Sequence, residues 1–190
     1  MIRTTLSAAA LLALALPVQA NEFEPGLRAL YEASVAEIVA DPTLIAAIRA
    51  QNAENAGLSE AEILARDTAW RAEIDAGAGP TLDPVMSHPA SVLLRQRRDE
   101  AQGLFTEIFV MDAVGLNVAA SDLTSDYWQG DEAKWQETFA AGPGAIHISE
   151  VEFDESAQRY QSQLSVAITD PETGAVIGAA TFGVDVEFLE

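Results

Sequence analysis

The chain has 190 residues, with 30 acidic and 10 basic side chains, a formal net charge of −20 at pH 7 and no cysteine. The lack of cysteine excludes disulfide bonds and thiolate ligands for zinc. The negative charge disfavours binding to nucleic acid or to anionic lipid, since both depend on cationic contacts to phosphate, and it favours cationic small molecules or metal ions.

The first twenty residues have the pattern of a secretory signal peptide. A short cationic start with Arg3 precedes an apolar run from Leu6 to Leu16, and Val18-Gln19-Ala20 is a small-residue cleavage site. The run is too short to cross a bilayer, which takes about 20 apolar residues. We therefore expect cleavage after Ala20, a periplasmic location and no membrane insertion of the mature chain.

Residues 21–104 are predicted to be mainly helical. Apolar residues recur at three- and four-residue spacing from Leu27 to Val39, and Asp41-Pro42 ends this helix and starts a second one. Ser59 and Glu62 have the spacing of a capping box that opens a third helix. A loop is predicted over residues 77–84 and a last helix over residues 89–102. That last helix has a basic run, interpreted as a solvated face, formed by Arg95, Arg97 and Arg98.

After residue 104 the apolar period changes to two, which is typical of strands. In the first strand, Phe105, Glu107, Phe109 and Met111 are predicted to face one side of the sheet. Strands are predicted over residues 105–111, 116–120, 145–153, 160–168 and 176–184. Consecutive strands joined by short turns favour an antiparallel sheet with helices on one side, an α+β fold. One domain is expected over residues 21–190, helical to residue 104 and a sheet from residue 105.

Residues with aromatic or acidic side chains are most concentrated in the segment from Thr124 to Trp135. It holds two of the three Trp and one of the three Tyr of the chain among acidic residues, and aromatic faces beside carboxylates suit an ammonium-bearing ligand. An alternative is that the aromatic rings fill the core while Asp131 caps a helix that begins near it. Further along, Gln161 and Gln163 mark a wet or pocket-facing side of the strand over residues 160–168.

The order of these segments resembles that of the bacterial extracytoplasmic sensor domains of the Cache (PDC, PAS-like) superfamily, of the small soluble periplasmic type. The resemblance is carried by residues 41–55, by residues 109–119 with the turn from Asp112 to Gly115, and by residues 124–135 and 152–156. It also includes the closing segment over residues 177–186, which contains Asp185.

The resemblance implies a long N-terminal helix packed on a five-stranded antiparallel sheet, with a ligand held between the sheet and the loops that cross it. In the amino-acid-binding branch an Arg-x-Trp-aromatic motif grips the ligand carboxylate. Aligning Trp135 with the Trp of that motif places Ala133 at the Arg and Gln136 at the second aromatic residue. Amino-acid specificity is therefore not carried over, and Lys134 is expected to face elsewhere.

The sequence has few features that are typical of enzymes or of metal sites. There is no nucleophile elbow and no phosphate-binding glycine loop, so no enzyme, catalytic residue or cofactor is predicted. His88 and His147 are interpreted as a surface loop residue and a half-buried strand residue. A calcium-binding loop stays an alternative, although no EF-hand pattern is present. Its oxygen ligands would come from Asp122, Asp126, Asp131 and Glu132.

The leading interpretation is a periplasmic ligand-binding module that recognises a small molecule and passes a signal or the ligand to a membrane receptor or transducer. If an acid of residues 126–132 faces the pocket, the ligand should be cationic or amine-bearing. The main alternative is a non-catalytic interaction or structural protein whose pocket is closed by its own side chains. The predicted ligand-binding residues are Asp126, Tyr127, Trp128, Asp131, Trp135, Gln161, Gln163 and Asp185.

Overall fold

The computed structural model describes residues 21–154 and 159–189. The predicted signal peptide and residues 155 and 156 of the family resemblance lie outside these ranges. In the described part, no helix combines the length and the apolar character that a membrane crossing requires.

Helices occupy most of the chain up to Glu100. They are α1 Glu24–Leu30, a π-helical turn Tyr31–Val35, α2 Ala36–Val39, α3 Pro42–Asn55, α4 Glu60–Ala76, α5 Leu82–Ser87 and α6 Pro89–Glu100, followed later by the single turn α7 Ala133–Gln136. The strands are β1 Phe105–Met111, β2 Asn117–Ala120, β3 Ile146–Ile148, β4 Glu152–Asp154, β5 Arg159–Thr169 and β6 Val176–Asp185. The predicted α+β fold is confirmed.

The strands form one antiparallel sheet in the order β2-β1-β6-β5-β3, and β4 also pairs with β5. Because β3 and β4 lie against different parts of β5, they share one position, and the sheet has five positions as the resemblance implied. The single strand expected over residues 145–153 is thus wrong. It is interrupted after Ile148, where the carbonyl of Ser149 accepts hydrogen bonds from the side chains of Asn21 and Ser162.

Local sequence signals start the helices where they were predicted. The Asp41 carboxylate accepts a hydrogen bond from the Thr43 amide at 2.8 Å, and Ser59 and Glu62 form the capping box at the start of α4. The loop predicted over residues 77–84 is wrong in its second half, because α5 begins at Leu82. Its first amides donate to the Glu73 carboxylate of α4, a contact between helices that local sequence does not reveal.

The two faces of the sheet pack differently. Ile108, Val110 and Leu164 lie in the main core with α3 and α6, while Phe109 and Met111 belong to a smaller cluster on the other face. Phe105 lies in the main core, so its predicted placement beside Phe109 is wrong. The cause is a register shift between Phe105 and Glu107, after which the side-chain alternation changes, so that Phe105 faces the opposite side of the sheet from Phe109.

Candidate ligand-binding site

A cavity of about 410 Å³ lies on the sheet face opposite the main core. We call it the sheet-face pocket. It is bounded by β1 and β5 below, by the loop between β2 and α7 at the side and by α7. Its lining residues are Ile74, Glu107, Phe109, Leu123, Thr124, Ser125, Gln129, Lys134 and Gln163.

Lys134 supplies the positive charge of the sheet-face pocket and is the only lysine in the chain. Its ammonium group lies 5.4 Å from the centre of the Phe109 ring, donates to Gln129 Oε1 at 3.2 Å and pairs with Glu132 at 2.9 Å. The side chain is 14% exposed. The expectation that Lys134 faces elsewhere is therefore wrong, because α7 lies over the sheet and turns Lys134 as well as Trp135 toward it.

The floor of the sheet-face pocket carries a carboxylate. Glu107 of β1 and Gln163 of β5 are both register partners of Gly183, which lies between them on β6. A Cβ atom at Gly183 would come within 2.9 Å of the Glu107 Cγ atom, so the glycine leaves room for this side chain. The Gln163 amide nitrogen lies 3.5 Å from Glu107 Oε1, at the long limit of a hydrogen bond. Glu107 and Gln163 thus present oxygen and nitrogen to one cavity.

The side wall is held in place by α4. Asp67 Oδ1 accepts hydrogen bonds from the amides of Tyr127 and Trp128 at 2.9 and 3.1 Å, and the Trp70 indole nitrogen donates to the Thr124 carbonyl at 2.9 Å. The Trp70 ring also stacks on Tyr127, with centroids 5.1 Å apart. Because Asp67 and Trp70 are buried, the loop has a defined shape.

The two tryptophans of the predicted site anchor this loop. Trp128 donates its indole N–H to the Val114 carbonyl at 2.9 Å, and Trp135 donates to the Asp112 carbonyl at 3.1 Å. The Trp135 ring stacks on Phe139 at a centroid distance of 4.9 Å. Both indoles therefore attach the wall of the pocket to the turn after β1.

The acids of the same loop have protein partners or lie in solvent. Asp126 pairs with Arg71 of α4 at 2.7 Å, and Asp131 is exposed. A helix does begin near Asp131, at Ala133, but the cap by Asp131 is wrong, because Glu132 is the N-cap residue and makes no side-chain cap hydrogen bond. Trp135 of α7 and Phe139 after it both pack against the cluster of Phe109 and Met111.

Of the four acids named as alternative calcium ligands, Asp131 is exposed and the other three pair with different basic residues. Asp122 pairs with Arg98, Asp126 with Arg71 and Glu132 with Lys134. Within residues 21–154 and 159–189, no three His, Cys, Asp or Glu side chains come together as a metal site would require.

The remaining predicted residues lie toward the end of the sheet near Asp185. Asp185 is 2% exposed, pairs with Arg159 at 3.1 Å and accepts a hydrogen bond from the Glu187 amide. Gln161 accepts a hydrogen bond from the Thr106 hydroxyl at 2.7 Å. Of the eight predicted ligand-binding residues, Gln163 lines the sheet-face pocket, and Tyr127 lines a second cavity described below.

Sequence reasoning missed Glu107 and Lys134, the two charged residues of the sheet-face pocket. A signal for Glu107 was present, since alternation along β1 placed this acid on the same side as two large apolar residues. For Lys134 the signal was its rarity, because a single lysine in so acidic a chain is a candidate for a specific role.

No family model matches the sequence, and no curated protein matches it. The chain is similar to the sensor domain of the V. cholerae histidine kinase DctB, with 14% identity and a TM-score of 0.44 over 87% of this chain and 55% of that one. It is also similar to the ligand-binding domain of the Campylobacter jejuni chemoreceptor Tlp3 in complex with 4-methylisoleucine, with 15% identity and a TM-score of 0.42 over 88% of this chain and 61% of that one. A third is the ligand-binding domain of the Pseudomonas aeruginosa amino acid chemoreceptor PctC in complex with GABA, with 15% identity and a TM-score of 0.43 over 66% and 53%.

The chain thus spans between 53% and 61% of the length of these three structures. The first of the three is the sensor domain of a histidine kinase, and the other two are ligand-binding domains of chemoreceptors.

Proposed function

We propose that this chain, whose sequence resembles the Cache sensor domains, is a non-catalytic binding module that takes a small extracellular molecule into the sheet-face pocket. The observation that carries the proposal is that a cation and a carboxylate both line the same cavity. Lys134 lies in its upper wall and Glu107 in its floor, and uncharged polar groups line the space with them. A cavity with a few placed polar groups on an apolar background is typical of small-molecule sites.

The charges favour a ligand that has both an amine and a carboxylate. A lysine ammonium has three donors, and Gln129 and Glu132 account for two acceptors near it, which leaves a donor for a ligand carboxylate. Glu107 offers carboxylate oxygen to a ligand ammonium. The amine-bearing ligand expected from the sequence is kept, with Glu107 rather than Asp126 as its acidic partner, since Asp126 is paired with Arg71.

A thermal-shift screen tests this proposal. GABA and isoleucine serve as aminocarboxylate probes, and butylamine and butyrate serve as probes with one charge each. A ligand at a hundred times its dissociation constant stabilises the folded state by about 2.7 kcal/mol. We expect the best aminocarboxylate to raise the melting temperature more than either one-charge probe. Equal or larger shifts with butylamine or butyrate would contradict the two-charge site.

Two matched variants connect the shift to the sheet-face pocket. Lys134→Gln and Glu107→Gln each delete one charge while keeping a polar side chain of similar length. Loss of a hydrogen bond to a charged group costs about 1.5–3 kcal/mol, so each variant should bind the aminocarboxylate roughly 10- to 100-fold more weakly. Arg28→Gln, which removes an exposed cation paired with Glu24, is the control and should bind as the parent does.

The cellular part of the function rests on the sequence. The signal-peptide pattern of the first twenty residues supports a periplasmic location, and the Cache resemblance supports a membrane receptor or transducer that reads the bound state. Fractionation of cells tests the location. Co-purification with detergent-solubilised membrane proteins, with and without GABA or isoleucine, tests the partner, and a complex insensitive to both probes would contradict ligand-dependent signalling.

A further inference from the structure

A second cavity, of about 440 Å³, lies among α3, α4 and α5 and is separate from the sheet-face pocket in its lining. We call it the helix-side cleft. Its apolar lining includes Ala47, Ala50, Val85 and Val118, and three of its polar lining residues are Arg66, His88 and Tyr127. The function proposed above makes no use of these three side chains.

Arg66 has an unusual setting for a chain with 30 acidic residues. No carboxylate among the described residues lies within 4.0 Å of its guanidinium group, whereas seven of the other basic side chains form such pairs. Its NH1 atom donates to Asn55 Oδ1 at 2.7 Å, and the buried Asn55 donates in turn to Asp112 at 2.6 Å. A neutral amide therefore orients Arg66 without neutralising its charge. The fork of the guanidinium keeps donors for an oxyanion.

Tyr127 is a largely buried residue that lines the same cleft and has a hydroxyl group. The residue is 6% exposed, its ring is fixed by stacking on Trp70, and its backbone amide is held by Asp67. The hydroxyl makes no hydrogen bond to any residue of the described ranges. Burial raises the pKa of Tyr127 to about 12, so the phenol is a neutral donor at physiological pH. A hydroxyl donor without a protein partner, on a residue that lines a cavity, is available to an acceptor from outside the chain.

His88 adds a third donor. Its Nδ1 atom accepts a hydrogen bond from the Ala90 amide at 3.1 Å, which caps the start of α6. A neutral imidazole that accepts at Nδ1 holds its proton on Nε2. His88 therefore contributes an N–H donor and not an acceptor to the cavity that it lines. His88 lies in the bend between α5 and α6, as expected for a loop residue, but it is half-buried and caps α6 rather than only adding polarity to the surface.

We propose that the helix-side cleft binds a small monocarboxylate with an apolar body. The carboxylate oxygens accept hydrogen bonds from Arg66, His88 and Tyr127, and the body of the ligand lies against the alanine and valine side chains. Glu54, an exposed residue that also lines the cleft, disfavours a second negative charge on the ligand. Its lining residues are distinct from those of the sheet-face pocket.

Isothermal titration calorimetry of the full chain tests the inference. Benzoate is the probe. Benzylamine has the same ring with a positive instead of a negative charge, and inorganic phosphate is an oxyanion without an apolar body. We expect benzoate to bind and both other probes to bind at least tenfold more weakly. Stronger binding of benzylamine would overturn the charge assignment, and binding of phosphate alone would overturn the requirement for an apolar body.

Three variants locate the binding. Arg66→Gln should weaken benzoate binding about tenfold or more, and Tyr127→Phe should weaken it several-fold while keeping the ring on Trp70. His88→Asn keeps an oxygen that can cap α6 but deletes the Nε2 donor, and it should weaken binding several-fold. The control Arg28→Gln should bind as the parent does. Circular dichroism and melting temperature confirm that each variant is folded.

The result also separates this inference from the proposed function. Lys134→Gln should leave benzoate affinity unchanged, while Arg66→Gln should leave aminocarboxylate binding unchanged. Loss of benzoate binding in Lys134→Gln but not in Arg66→Gln, Tyr127→Phe or His88→Asn would place the probe in the sheet-face pocket and overturn the inference. Failure of benzoate to bind the parent at millimolar concentration would overturn it as well.

Discussion

The sheet-face pocket and the helix-side cleft are similar in volume, about 410 and 440 Å³, but they treat charge differently. In the sheet-face pocket Lys134 has polar protein partners, so a ligand competes with groups already in contact. In the helix-side cleft no described carboxylate lies within 4.0 Å of the Arg66 guanidinium group, although Glu62 attracts it at longer range, and the Tyr127 hydroxyl makes no hydrogen bond to a described residue. The first arrangement favours selectivity for a ligand that matches both charges, and the second favours capture of an anion. In so acidic a chain, the few cations are more informative than the many acids.

The two cavities share a wall. Trp70 stacks on Tyr127, which lines the helix-side cleft, and donates to the carbonyl of Thr124, which lines the sheet-face pocket. Changes in this wall should therefore affect both cavities, while changes in the lining of one should leave the other intact.

The largest expected effect is that of Trp70→Ala. Trp70 is fully buried, and removal of such a side chain typically costs about 3–5 kcal/mol of the free energy of unfolding. Because the shared wall is lost, binding should weaken in both cavities. Urea unfolding followed by circular dichroism measures the stability. Val92→Ala, at an exposed apolar position of α6, is the control and should change stability by less than about 0.5 kcal/mol.

The second effect concerns alkaline pH and the helix-side cleft. Since the folded-state pKa of Tyr127 is about 12 against about 10 for a free tyrosine, its contribution to stability is intact below pH 10. It is lost as pH rises from 10 to 12, by up to about 2.7 kcal/mol. Tyr127→Phe should remove this loss and change stability little at pH 7. Unfolding at pH 9 and pH 11.5 measures the difference.

Tyr160→Phe is the control for this prediction, because Tyr160 is half-exposed. Its alkaline limb should follow that of the parent. A Tyr127→Phe limb as steep as that of the parent would show that the Tyr127 hydroxyl is not buried against the cleft.

The smallest effect concerns the support of α3, which lines the helix-side cleft. Arg49 of α3 binds Asp170 in the turn between β5 and β6, with Nη2 to Oδ1 at 2.6 Å, and this contact lowers the pKa of Asp170 to about 2. A lowered folded-state pKa stabilises the fold above about pH 4, and the contribution is lost as pH falls toward 2. Asp170→Asn should therefore be less stable than the parent at pH 7 and lose less stability between pH 4 and 2. Acid titration of the melting temperature measures both.

Asp75→Asn, at an exposed position of α4, is the control for the acid titration and should follow the parent. Benzoate binding in the helix-side cleft should weaken in Asp170→Asn, and aminocarboxylate binding in the sheet-face pocket should not. The reverse pattern would indicate that α3 supports the sheet-face pocket and not the helix-side cleft.

Features of the fold that depend on neighbours in sequence could be predicted. The break at Asp41-Pro42, the capping box of Ser59 and Glu62, and the turn from Asp112 to Gly115 all form as expected, because each uses contacts within a few residues. The start of α5 and the break between β3 and β4 could not be predicted. The first depends on Glu73, in the preceding helix and 8 residues before Thr81, and the second on Asn21, which lies 128 residues from Ser149.

In the candidate site, too, features set by neighbours in sequence could be predicted and features set by the tertiary fold could not. The segment of residues 124–135 was chosen because aromatic and acidic residues are dense there, and it does form a wall of the sheet-face pocket. Its indoles, however, donate to carbonyls of the turn after β1, and Asp126 is paired with an arginine of α4. Such partners are set by the tertiary fold, so local density alone could not show which side chains remain for a ligand.

The most direct test of the central claim uses the fact that Lys134 is the only lysine. The protein is treated with an amine-acetylating reagent, and acetylation of Lys134 is followed by mass spectrometry with the α-amino group as internal reference. The probe is GABA or isoleucine, whichever gives the larger thermal shift. A ligand held by Lys134 in the sheet-face pocket should protect it, with half-protection at the calorimetric dissociation constant, while benzoate should not. Acetylation of Lys134 at the same rate with and without saturating aminocarboxylate would contradict the claim.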